Sequence, residues 1–390
     1  MKKTIRFIVV ISAITLLTSC SGTKQIDEAE IPEAVVAESE TVSNPVIEET
    51  ESETVEAVPY EDPETLLYQV DRNEKDGMIS SYLTGMRVPA VIGKRRPVAV
   101  MMSNDKEASP QYGINHAGVV YEAPAEGGMN RFMSIIEDYD MLERIGSVRS
   151  CRTYYIYFAN EWDAIYAHYG QSSFAKPELV NIDNINGIEG IGTEAFYRTK
   201  DKKSPHNAYT SGERLNKAII KLGYSIEYPD DYHGHFLFAK DGITVDPSPI
   251  SKEVYKIVPG YYYNEPWFEY HEDDGLYYRF QYGEPHMGDE GQIAVTNVII
   301  QYMATMHYGD TPYLYMNTQA DSVGWYFTNG KACMINTKKY DEFGVVHYYD
   351  PNGEEIILNQ GKTWICAIQS SRGEYLKLFD KNGVNIIEQQ

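Results

Sequence analysis

One acidic segment limits how much of this chain can fold into a packed body. Residues 27–64 carry fourteen Asp or Glu side chains and no Lys or Arg, and four prolines interrupt them. Such a segment buries too little apolar surface to offset the entropy of ordering it, and its like charges keep it extended. We therefore predict a disordered acidic tether over residues 20–79, with a specific acidic docking tail as the alternative.

The residues before the tether predict export from the cytoplasm. Lys2, Lys3 and Arg6 precede the apolar run of residues 7–17. This run fits a signal peptide and is shorter than the roughly 20 residues that span a membrane. It ends in Leu17-Thr18-Ser19-Cys20, which resembles the lipobox of bacterial lipoproteins, whose cysteine receives diacylglycerol and becomes the mature N-terminus. We predict a signal peptide over residues 1–19 and lipidation of Cys20; an ordinary signal peptide with a chance cysteine is the alternative.

The charge balance restricts the partners. The chain has 34 basic and 57 acidic side chains, a formal net charge of −23, and loss of residues 1–19 with their three basic side chains makes it −26. Nucleic acids bind through their phosphates to basic surfaces, so they are not expected partners. Anionic membrane surfaces repel such a chain, so we expect the lipid to hold it at the outer side of the cell membrane. Four scattered cysteines predict neither a disulfide scaffold nor a zinc site, and no cofactor is predicted.

The N-terminal folded part, residues 80–230, combines strands and helices. Short apolar runs predict buried strands at residues 97–102, 119–122, 131–136 and 164–168, and longer patterns predict helices at residues 153–162 and 210–223. In the second helix, Thr210 is the expected N-cap with Glu213 completing a capping box. Its apolar stripe is Leu215, Ile219 and Ile220. This alternation predicts a mixed α/β domain.

The C-terminal part, residues 250–388, shows mainly strand signals. Apolar runs predict strands at residues 254–258, 277–282, 293–302, 345–349, 355–358 and 363–368. Turn sequences with Asp-Gly or Asn-Gly, which tolerate positive φ, lie between several of them. We predict a mainly antiparallel β domain, and an α+β fold class for the whole chain.

The polar candidates for a functional site lie in Gly- and Ser-rich loops at the ends of apolar runs, where rigid scaffolds usually carry their sites. They are Glu126, Arg131, Arg149, Ser150, Arg152, His168 and His206. Arg149 and Arg152 lie three residues apart at a predicted helix start, where forked hydrogen bonds and free backbone N–H groups can bind a carboxylate or phosphate. Structural salt bridges to Glu122, Glu126 or Glu137 are the alternative.

Catalytic interpretations depend on contacts that the sequence does not show. Glu126 with His168 or His206 would form an acid–base pair if they meet. Cys151 has cationic neighbours that would lower its thiol pKa, but no identified His partner. No HExxH, GxSxG, P-loop or SxxK motif is present. The 33 tyrosines fit either sugar-stacking surfaces or ordinary strand positions.

Several short motifs together resemble the YerB-like lipoprotein family. The motifs are Arg96-Pro97-Val98-Ala99-Val100-Met101, Pro110-Gln111, Val120-Tyr121-Glu122, Glu126-Gly127-Gly128, Arg131-Phe132, residues 146–152, His168-Tyr169-Gly170, Tyr278-Arg279, His286, residues 297–301 and residues 361–365. The resemblance covers roughly residues 80–385. It implies a bacterial lipoprotein with paired N- and C-terminal domains of unassigned function, and it adds Arg279, His286 and Asn297 as C-terminal site candidates.

The chain departs from the family pattern at four places. Asn130 stands where the pattern has Thr, Cys151 where it usually has Ala, and Gln171 where it has a second Gly; residues 329–339 lack the expected Gly-Trp. The alanine that usually occupies position 151 weakens the nucleophile hypothesis for Cys151. The specificity of a ligand site at these positions would differ from that of relatives.

Three functions remain open. The first is a binding or scaffold lipoprotein for wall glycan, wall peptide or an envelope protein, with Arg149 and Arg152 holding an acidic group. The second is an envelope hydrolase or transferase that uses Glu126 and His168, with the arginines orienting an anionic substrate. The third is a solute-binding lipoprotein, which would usually have two similar α/β lobes.

Overall fold

The computed structural model describes residues 67–69 and 71–387. Eleven of the strands in this part form a central sheet, numbered here in chain order: β1 Val98–Ser103, β2 Val119–Pro124, β3 Asn130–Ile136, β4 Ile165–His168, β5 Asn184–Asn186, β6 Lys252–Glu253, β7 Asn297–Met303, β8 Ser322–Thr328, β9 Lys331–Lys338, β10 His347–Tyr349 and β11 Thr363–Gln369. Their order across the sheet is β6-β9-β8-β7-β11-β2-β3-β1-β4-β5, and β10 pairs with β9.

The two predicted parts of the chain share this sheet. β11, from the C-terminal part, pairs in parallel with β2 of the N-terminal part on one side and with β7 on the other. The register aligns Thr363 with Val119 and Cys366 with Glu122. The sheet therefore continues across both parts, and the described residues do not form two similar α/β lobes.

Both faces of the sheet are covered. Alternate residues of β1 point to opposite sides: Val98, Val100 and Met102 join one apolar cluster, and Ala99 and Met101 join the other. All six residues of β1 are buried. A strand covered on both faces reads as a continuous apolar run without alternation, which is why the sequence predicts it clearly. β9 lies nearer the sheet edge and alternates buried with exposed residues from Cys333 onward.

Two of the four α-helices, together with a second sheet, cover the two faces of the central sheet. The helices are α1 Ala90–Gly93, α2 Thr153–Asn160, α3 Gly192–Ala195 and α4 Gly212–Leu222, with 3-10 turns at Lys106–Ala108, Ile114–His116, Glu126–Gly128, Glu178–Asn181 and Ser370–Tyr375. α2 packs on one face, where Tyr155 and Phe158 join the cluster of Met101. α4 and the second sheet pack on the other face, in the cluster of Val100.

The second sheet is antiparallel and comes from the C-terminal part. Its strands are Lys256–Val258, Trp267–His271, Leu276–Gln281, Glu284–Pro285, Ala294–Val295 and Lys377–Phe379. Smaller sheets consist of Ile145–Gly146 with Tyr197–Arg198 and Ala208–Thr210, Met78–Ser80 with Arg87–Pro89, Leu237–Phe238 with Ile357–Leu358, Met287–Gly288 with Gly291–Gln292, and Thr305–His307 with Leu314–Met316.

The fold class agrees with the prediction in its coarse outline. The mainly antiparallel pairing of the C-terminal strands is confirmed, with β11 as a parallel exception, and the N-terminal strands β1 to β4 and helix α2 are confirmed as well. The α/β description of the N-terminal part fits only loosely, because α2 and α4 are the only helices of more than four residues among the described residues.

The predicted cap of α4 is wrong by one residue. Ser211 is the N-cap, and its hydroxyl accepts a hydrogen bond from the Arg214 N–H. Thr210 instead ends a strand and donates its hydroxyl to the Ala195 carbonyl. Glu213 therefore cannot complete the capping box. In the apolar stripe, Ile220 is 68% exposed, and Ala218 takes the buried position.

Some predictions concern residues that the structure does not describe. The signal peptide, the lipidation site Cys20 and the tether up to residue 66 lie outside the described residues. Within the described part of the predicted tether, Met78–Ser80 forms a strand. None of the helices in residues 67–69 and 71–387 has the length and hydropathy of a membrane span.

Candidate functional site

Six strands of the central sheet end at one edge. β7, β11 and β2 are mutually parallel, and β1, β4 and β5 are mutually parallel. β3 pairs antiparallel with both β2 and β1, so the two groups run in the same direction. Ligands of open α/β sheets usually bind beyond the carboxyl ends of the strands. The N-terminal candidates follow these strand ends or lie near the start of β3 and α2, except His206, which precedes the strand Ala208–Thr210 of a smaller sheet.

Three arginines and one glutamate come together at this edge. We define the arginine cluster as Glu126, Arg131, Arg149 and Arg152. Arg152, the N-cap residue of α2, donates from Nε and Nη2 to the two carboxylate oxygens of Glu126. Arg131 Nη2 donates to Glu126 Oε2 at 3.3 Å, and its Nη1 donates to the Ser150 carbonyl at 2.6 Å. One carboxylate therefore orients two guanidinium groups in a forked arrangement.

The electrostatics of the cluster keep Glu126 ionised. Burial alone would raise the pKa of Glu126, but the hydrogen bonds and charge of Arg152, with the charge of Arg131, hold it below the ordinary value. The pKa of Arg131 is lowered by burial and by the positive charge of Arg152. Arginine remains charged at neutral pH even so. The cluster therefore carries more positive than negative charge within a strongly acidic protein.

Of the three arginines in the cluster, Arg149 has the fewest hydrogen bonds and ion pairs within the described part of the chain. Its one hydrogen bond to the described residues is from Nη1 to the Pro205 carbonyl, at 3.5 Å. Among the described residues, no carboxylate lies within ion-pair distance of its guanidinium. Its pKa is lowered by burial, with the charge of Arg152 adding to the effect and that of Asp105 opposing it. A half-buried cation without an acidic partner is available to an anionic ligand.

Ser150 and His206 flank the cluster. Ser150 donates its hydroxyl to the Tyr169 carbonyl at 3.0 Å. His206 Nδ1 lies 3.4 Å from Ser103 Oγ and 3.4 Å from Asp105 Oδ2, while Ser103 donates to Asp105 Oδ2 at 2.6 Å. A serine–histidine–aspartate triad needs the serine and the acid on opposite ring nitrogens. Here Ser103 and Asp105 both lie at Nδ1, and the acid nearest Nε2, Glu107, is 3.9 Å away and beyond hydrogen-bond distance, so the geometry does not match a triad.

His168 lies apart from Glu126. Its ring is fully buried, Nδ1 is 2.8 Å from the Gly170 carbonyl, and Nε2 is 3.3 Å from Asn184 Oδ1. Burial lowers its pKa, which keeps the ring neutral. The hydrogen bonds of Glu126 go to the arginines, and those of His168 and His206 go elsewhere. The structure therefore does not bring together the acid–base pair that the sequence suggested.

The cysteines of the described part are free and buried. Burial raises the pKa of the Cys151 thiol to about 12, and that of Cys333 to about 12 as well. Reactive cysteines need a lowered pKa and some exposure. The burial of Cys151 therefore argues against the nucleophile hypothesis, because desolvation outweighs the hydrogen bond with Tyr166 and the charges of Arg152 and Arg131. Cys333 and Cys366 are buried in the same way.

The C-terminal candidates form structural contacts. Arg279 and Glu122 make an ion pair with no exposed side-chain surface, and Arg279 Nη2 lies 2.9 and 2.8 Å from the two carboxylate oxygens. His286 connects Arg279 Nη1, at 2.6 Å, to Gln111 Oε1, at 2.8 Å. Trp364 donates its indole N–H to Glu122 Oε2 at 3.0 Å. This network attaches the second sheet to β2 and β11.

Asn297 is also buried. Its Nδ2 donates to the Asn359 carbonyl at 2.8 Å, and its Oδ1 accepts from the Tyr326 hydroxyl at 3.0 Å. These bonds fix the start of β7 and leave no free polar group directed at the arginine cluster. Among the described residues, His, Cys, Asp and Glu do not form any group of three that could hold a metal ion.

Sequence patterns do not identify the aromatic residues that lie beside the arginines. The guanidinium carbon of Arg152 lies 5.2 Å from the ring centroid of Tyr313. Phe174 stacks on Tyr308 with centroids 4.0 Å apart and meets Tyr313 edge-on at 5.9 Å. We define these three rings as the aromatic cluster. They come from two distant parts of the chain, and no local pattern distinguishes them from the other tyrosines.

A cavity of about 580 Å³ lies elsewhere, between the second sheet and the loop before β11. Its lining includes Thr296, Asn329, Asn359 and Lys362 but none of the sequence candidates. It contains no cluster of cationic or nucleophilic groups, so we assign the candidate site to the arginine cluster.

Comparison with known proteins agrees with this architecture. The family described as "Protein of unknown function (DUF3048) N-terminal domain" matches residues 83–225, and its C-terminal counterpart matches residues 257–365. The chain belongs to the YerB-like family. The two matched regions are the parts that contribute β2 and β7 to the central sheet.

Two matches, one of sequence and one of structure, are both to YerB of Bacillus subtilis. The chain is 40% identical over 147 residues to the protein named "Putative lipoprotein YerB" of Bacillus subtilis (strain 168), a match that covers 37% of this chain and 44% of that protein. It also resembles the crystal structure of the YerB protein from Bacillus subtilis, with a TM-score of 0.67 and 27% identity, over 77% of this chain and 99% of that chain. The curated match thus spans less than half of the relative's length.

Proposed function

We propose that this protein is a lipid-anchored lipoprotein of the cell envelope that binds an anionic component of the cell wall through its arginine cluster. The anchoring part rests on Cys20 in the lipobox-like sequence and on the name of the Bacillus subtilis relative. Transfer across the membrane would place the folded body on the outer side, where wall glycan and peptide are the abundant acidic polymers.

The observation that carries the binding proposal is the state of Arg149. In a chain of net charge −23, this guanidinium is close enough to Arg131 and Arg152 for their charges to interact, and it has no acidic partner among the described residues. Buried or half-buried charges are usually paired. An anionic ligand would supply the missing partner through forked, charge-assisted hydrogen bonds, while Glu126 keeps Arg131 and Arg152 in place.

The contacts favour binding over catalysis. A general acid needs a pKa near the working pH, but Glu126 has a lowered pKa and is held by two arginines. His168 is buried and hydrogen-bonded to the Gly170 carbonyl and Asn184. No other acid–base pair forms within the arginine cluster.

The test incubates the full chain, purified in a mild detergent, with cell-wall sacculi. Pelleting measures bound protein, and mass spectrometry of the supernatant measures released wall fragments. We expect binding without release, lost in Arg149→Ala and retained in Glu126→Gln to the extent that Arg131 and Arg152 keep their positions. Release of fragments that Glu126→Gln abolishes would contradict the proposal and favour a hydrolase or transferase. Absence of binding would exclude the wall as the ligand.

Lipidation has its own test. Mass spectrometry of the mature N-terminus from the native host would detect a diacylglycerol-modified Cys20, and Cys20→Ala would release the protein from the membrane fraction. An unmodified N-terminus produced by cleavage at another position would contradict the anchor.

A further inference from the structure

The segment after β7 brings aromatic rings to the arginine cluster. The strands Thr305–His307 and Leu314–Met316 pair as an antiparallel hairpin, and Tyr308 and Tyr313 lie in its connecting loop. The Tyr308 hydroxyl contacts Thr153 Oγ1, at the first residue of α2, at 3.3 Å. The C-terminal domain thus contributes to the edge where the N-terminal domain carries its arginines.

Tyr313 is the ring whose surroundings suit a ligand. Phe174 and Tyr308 stack on each other at 6° between planes, so their facing surfaces are occupied. Tyr313 meets the edge of Phe174 and is half-buried. Its hydroxyl has no hydrogen-bond partner among the described residues. A half-exposed tyrosine offers an apolar ring face and a polar tip, the combination that packs against the C–H face of a sugar ring.

Arg152 links this ring to the free cation. Its guanidinium carbon lies 5.2 Å from the Tyr313 centroid, and its charge is close enough to Arg149 to contribute to lowering the pKa of that residue. Arg152 itself forms an ion pair with Glu126. The available cation is therefore Arg149, three residues before Arg152 in the chain, and the available ring is Tyr313, which the other domain places 5.2 Å from Arg152.

We infer that the arginine cluster and Tyr313 form one composite site for an anionic sugar, in which Arg149 pairs with the acidic group and Tyr313 packs on the sugar ring. This inference rests on the proposed function and names its ligand class. The acidic group can be a carboxylate, as in N-acetylmuramic acid, or a phosphate, as in N-acetylglucosamine 6-phosphate, because both accept forked hydrogen bonds from guanidinium.

The experiment titrates the full chain in detergent with single compounds, followed by ligand-observed NMR. The probes are the two anionic sugars, the neutral sugar N-acetylglucosamine, and lactate and inorganic phosphate as anions without a ring. We expect at least one anionic sugar to bind about tenfold more tightly than the neutral sugar and than the free anion. About 1.4 kcal/mol corresponds to that factor. Comparison of the two sugars identifies the acidic group.

Variants measure the contributions of the Tyr313 ring and of the Arg149 charge to binding separately. Tyr313→Ala should remove the advantage of the anionic sugar over the free anion, and Tyr313→Phe should retain it. Tyr340→Ala is the matched control, because Tyr340 is 84% exposed on another loop. Arg149→Ala should reduce binding of every anion. Thermal unfolding of each variant establishes that it is folded.

Two outcomes would overturn the inference. Equal affinity for free anions and anionic sugars would exclude a contribution from the ring, as would an unchanged affinity ratio in folded Tyr313→Ala. If sacculi still bind through Arg149 in those cases, the proposed function remains and only the composite sugar site fails. If sacculi do not bind but an anionic sugar does, the wall is the wrong source and the composite site remains.

Discussion

Arg279→Met should strongly destabilise the protein without affecting the candidate site. The variant removes the cation that pairs with Glu122 in a place where neither side chain is exposed. Glu122 would keep the hydrogen bonds from Asn130, Asn264 and Trp364 but would lose its counter-ion. Leaving one charge of a buried pair uncompensated costs about 3–5 kcal/mol, so we expect the free energy of unfolding to fall by about that amount.

The same loss should appear in thermal unfolding. Unfolding entropy is about 2.1 cal/mol/K per residue, which over the roughly 320 described residues gives a fall in Tm of roughly 4–8 °C. Because the pair is buried, the effect should change little with added salt, whereas surface pairs are screened. Equilibrium urea unfolding of the full chain in detergent, at low and high salt, measures both quantities.

A double-mutant cycle tests the origin of the effect. Glu122→Gln alone leaves the Arg279 cation buried, so the double variant should be less destabilised than the sum of the singles by about 2 kcal/mol or more. Lys217→Met is the control, because Lys217 and Glu213 form a pair with 73% exposure on both sides and should contribute less than about 0.5 kcal/mol. A loss below about 1 kcal/mol for Arg279→Met, or additive singles, would refute the reasoning.

Three further outcomes follow from the structure. Iodoacetamide at pH 8 should leave Cys151, Cys333 and Cys366 unmodified in the native protein and label them after unfolding, because burial raises the pKa values of their thiols; rapid native labelling of Cys151, detected by mass spectrometry, would contradict its burial. Burial raises the pKa of Glu137 from 4.5 to about 7, against the hydrogen bond from Ser81 and the charge of Arg72. The folded state therefore binds a proton more tightly than the unfolded state, so unfolding free energy should fall as pH rises from about 4.5 to about 7; Glu137→Gln should flatten this part of the profile, and an unchanged slope would contradict the assignment. Lys339→Met should lower stability by about 3–5 kcal/mol because it leaves the buried carboxylate of Glu161, 2.6 Å from Lys339 Nζ, without its cation; a change comparable to Lys217→Met would contradict this.

Local patterns predicted the strands of the central sheet but not how they join. β1 and β2 are buried on both faces, so their sequences are uninterrupted apolar runs. The parallel pairing of β11 with β2 joins distant segments and has no turn that would specify it locally. Local sequence therefore does not reveal that the N- and C-terminal parts share one sheet.

Strand register explains one wrong prediction, the cap of α4, and one ion pair that the sequence did not show. Both Thr210 and Ser211 can cap a helix, and the strand Ala208–Thr210 decides between them because it uses the Thr210 hydroxyl for another bond. In Leu276–Gln281, the buried positions alternate and include Arg279. A charged residue at an inward strand position signals a buried ion pair, but its partner, Glu122, could not be found without the fold.

The candidate site was predictable in part. Glu126, Arg131, Arg149 and Arg152 do come together, since the loops after parallel strands meet at one sheet edge. The alternative of structural salt bridges holds for Arg152, which pairs with Glu126, but not for Arg149. The separation of His168 from Glu126, and the approach of Tyr313, depend on loop conformations that sequence spacing does not determine.

The central claim is that Arg149, which has no acidic partner among the described residues, binds an external anion. Its most direct test compares binding of the parent chain, Arg149→Ala and Arg87→Ala to cell-wall sacculi, with urea unfolding of each. Arg87→Ala removes the same charge from a different sheet, where the side chain is 36% exposed. The account predicts at least tenfold weaker binding for Arg149→Ala alone, with unfolding free energy within about 0.5 kcal/mol of the parent. Equal binding by the two variants, or a large loss of stability in Arg149→Ala, would contradict it.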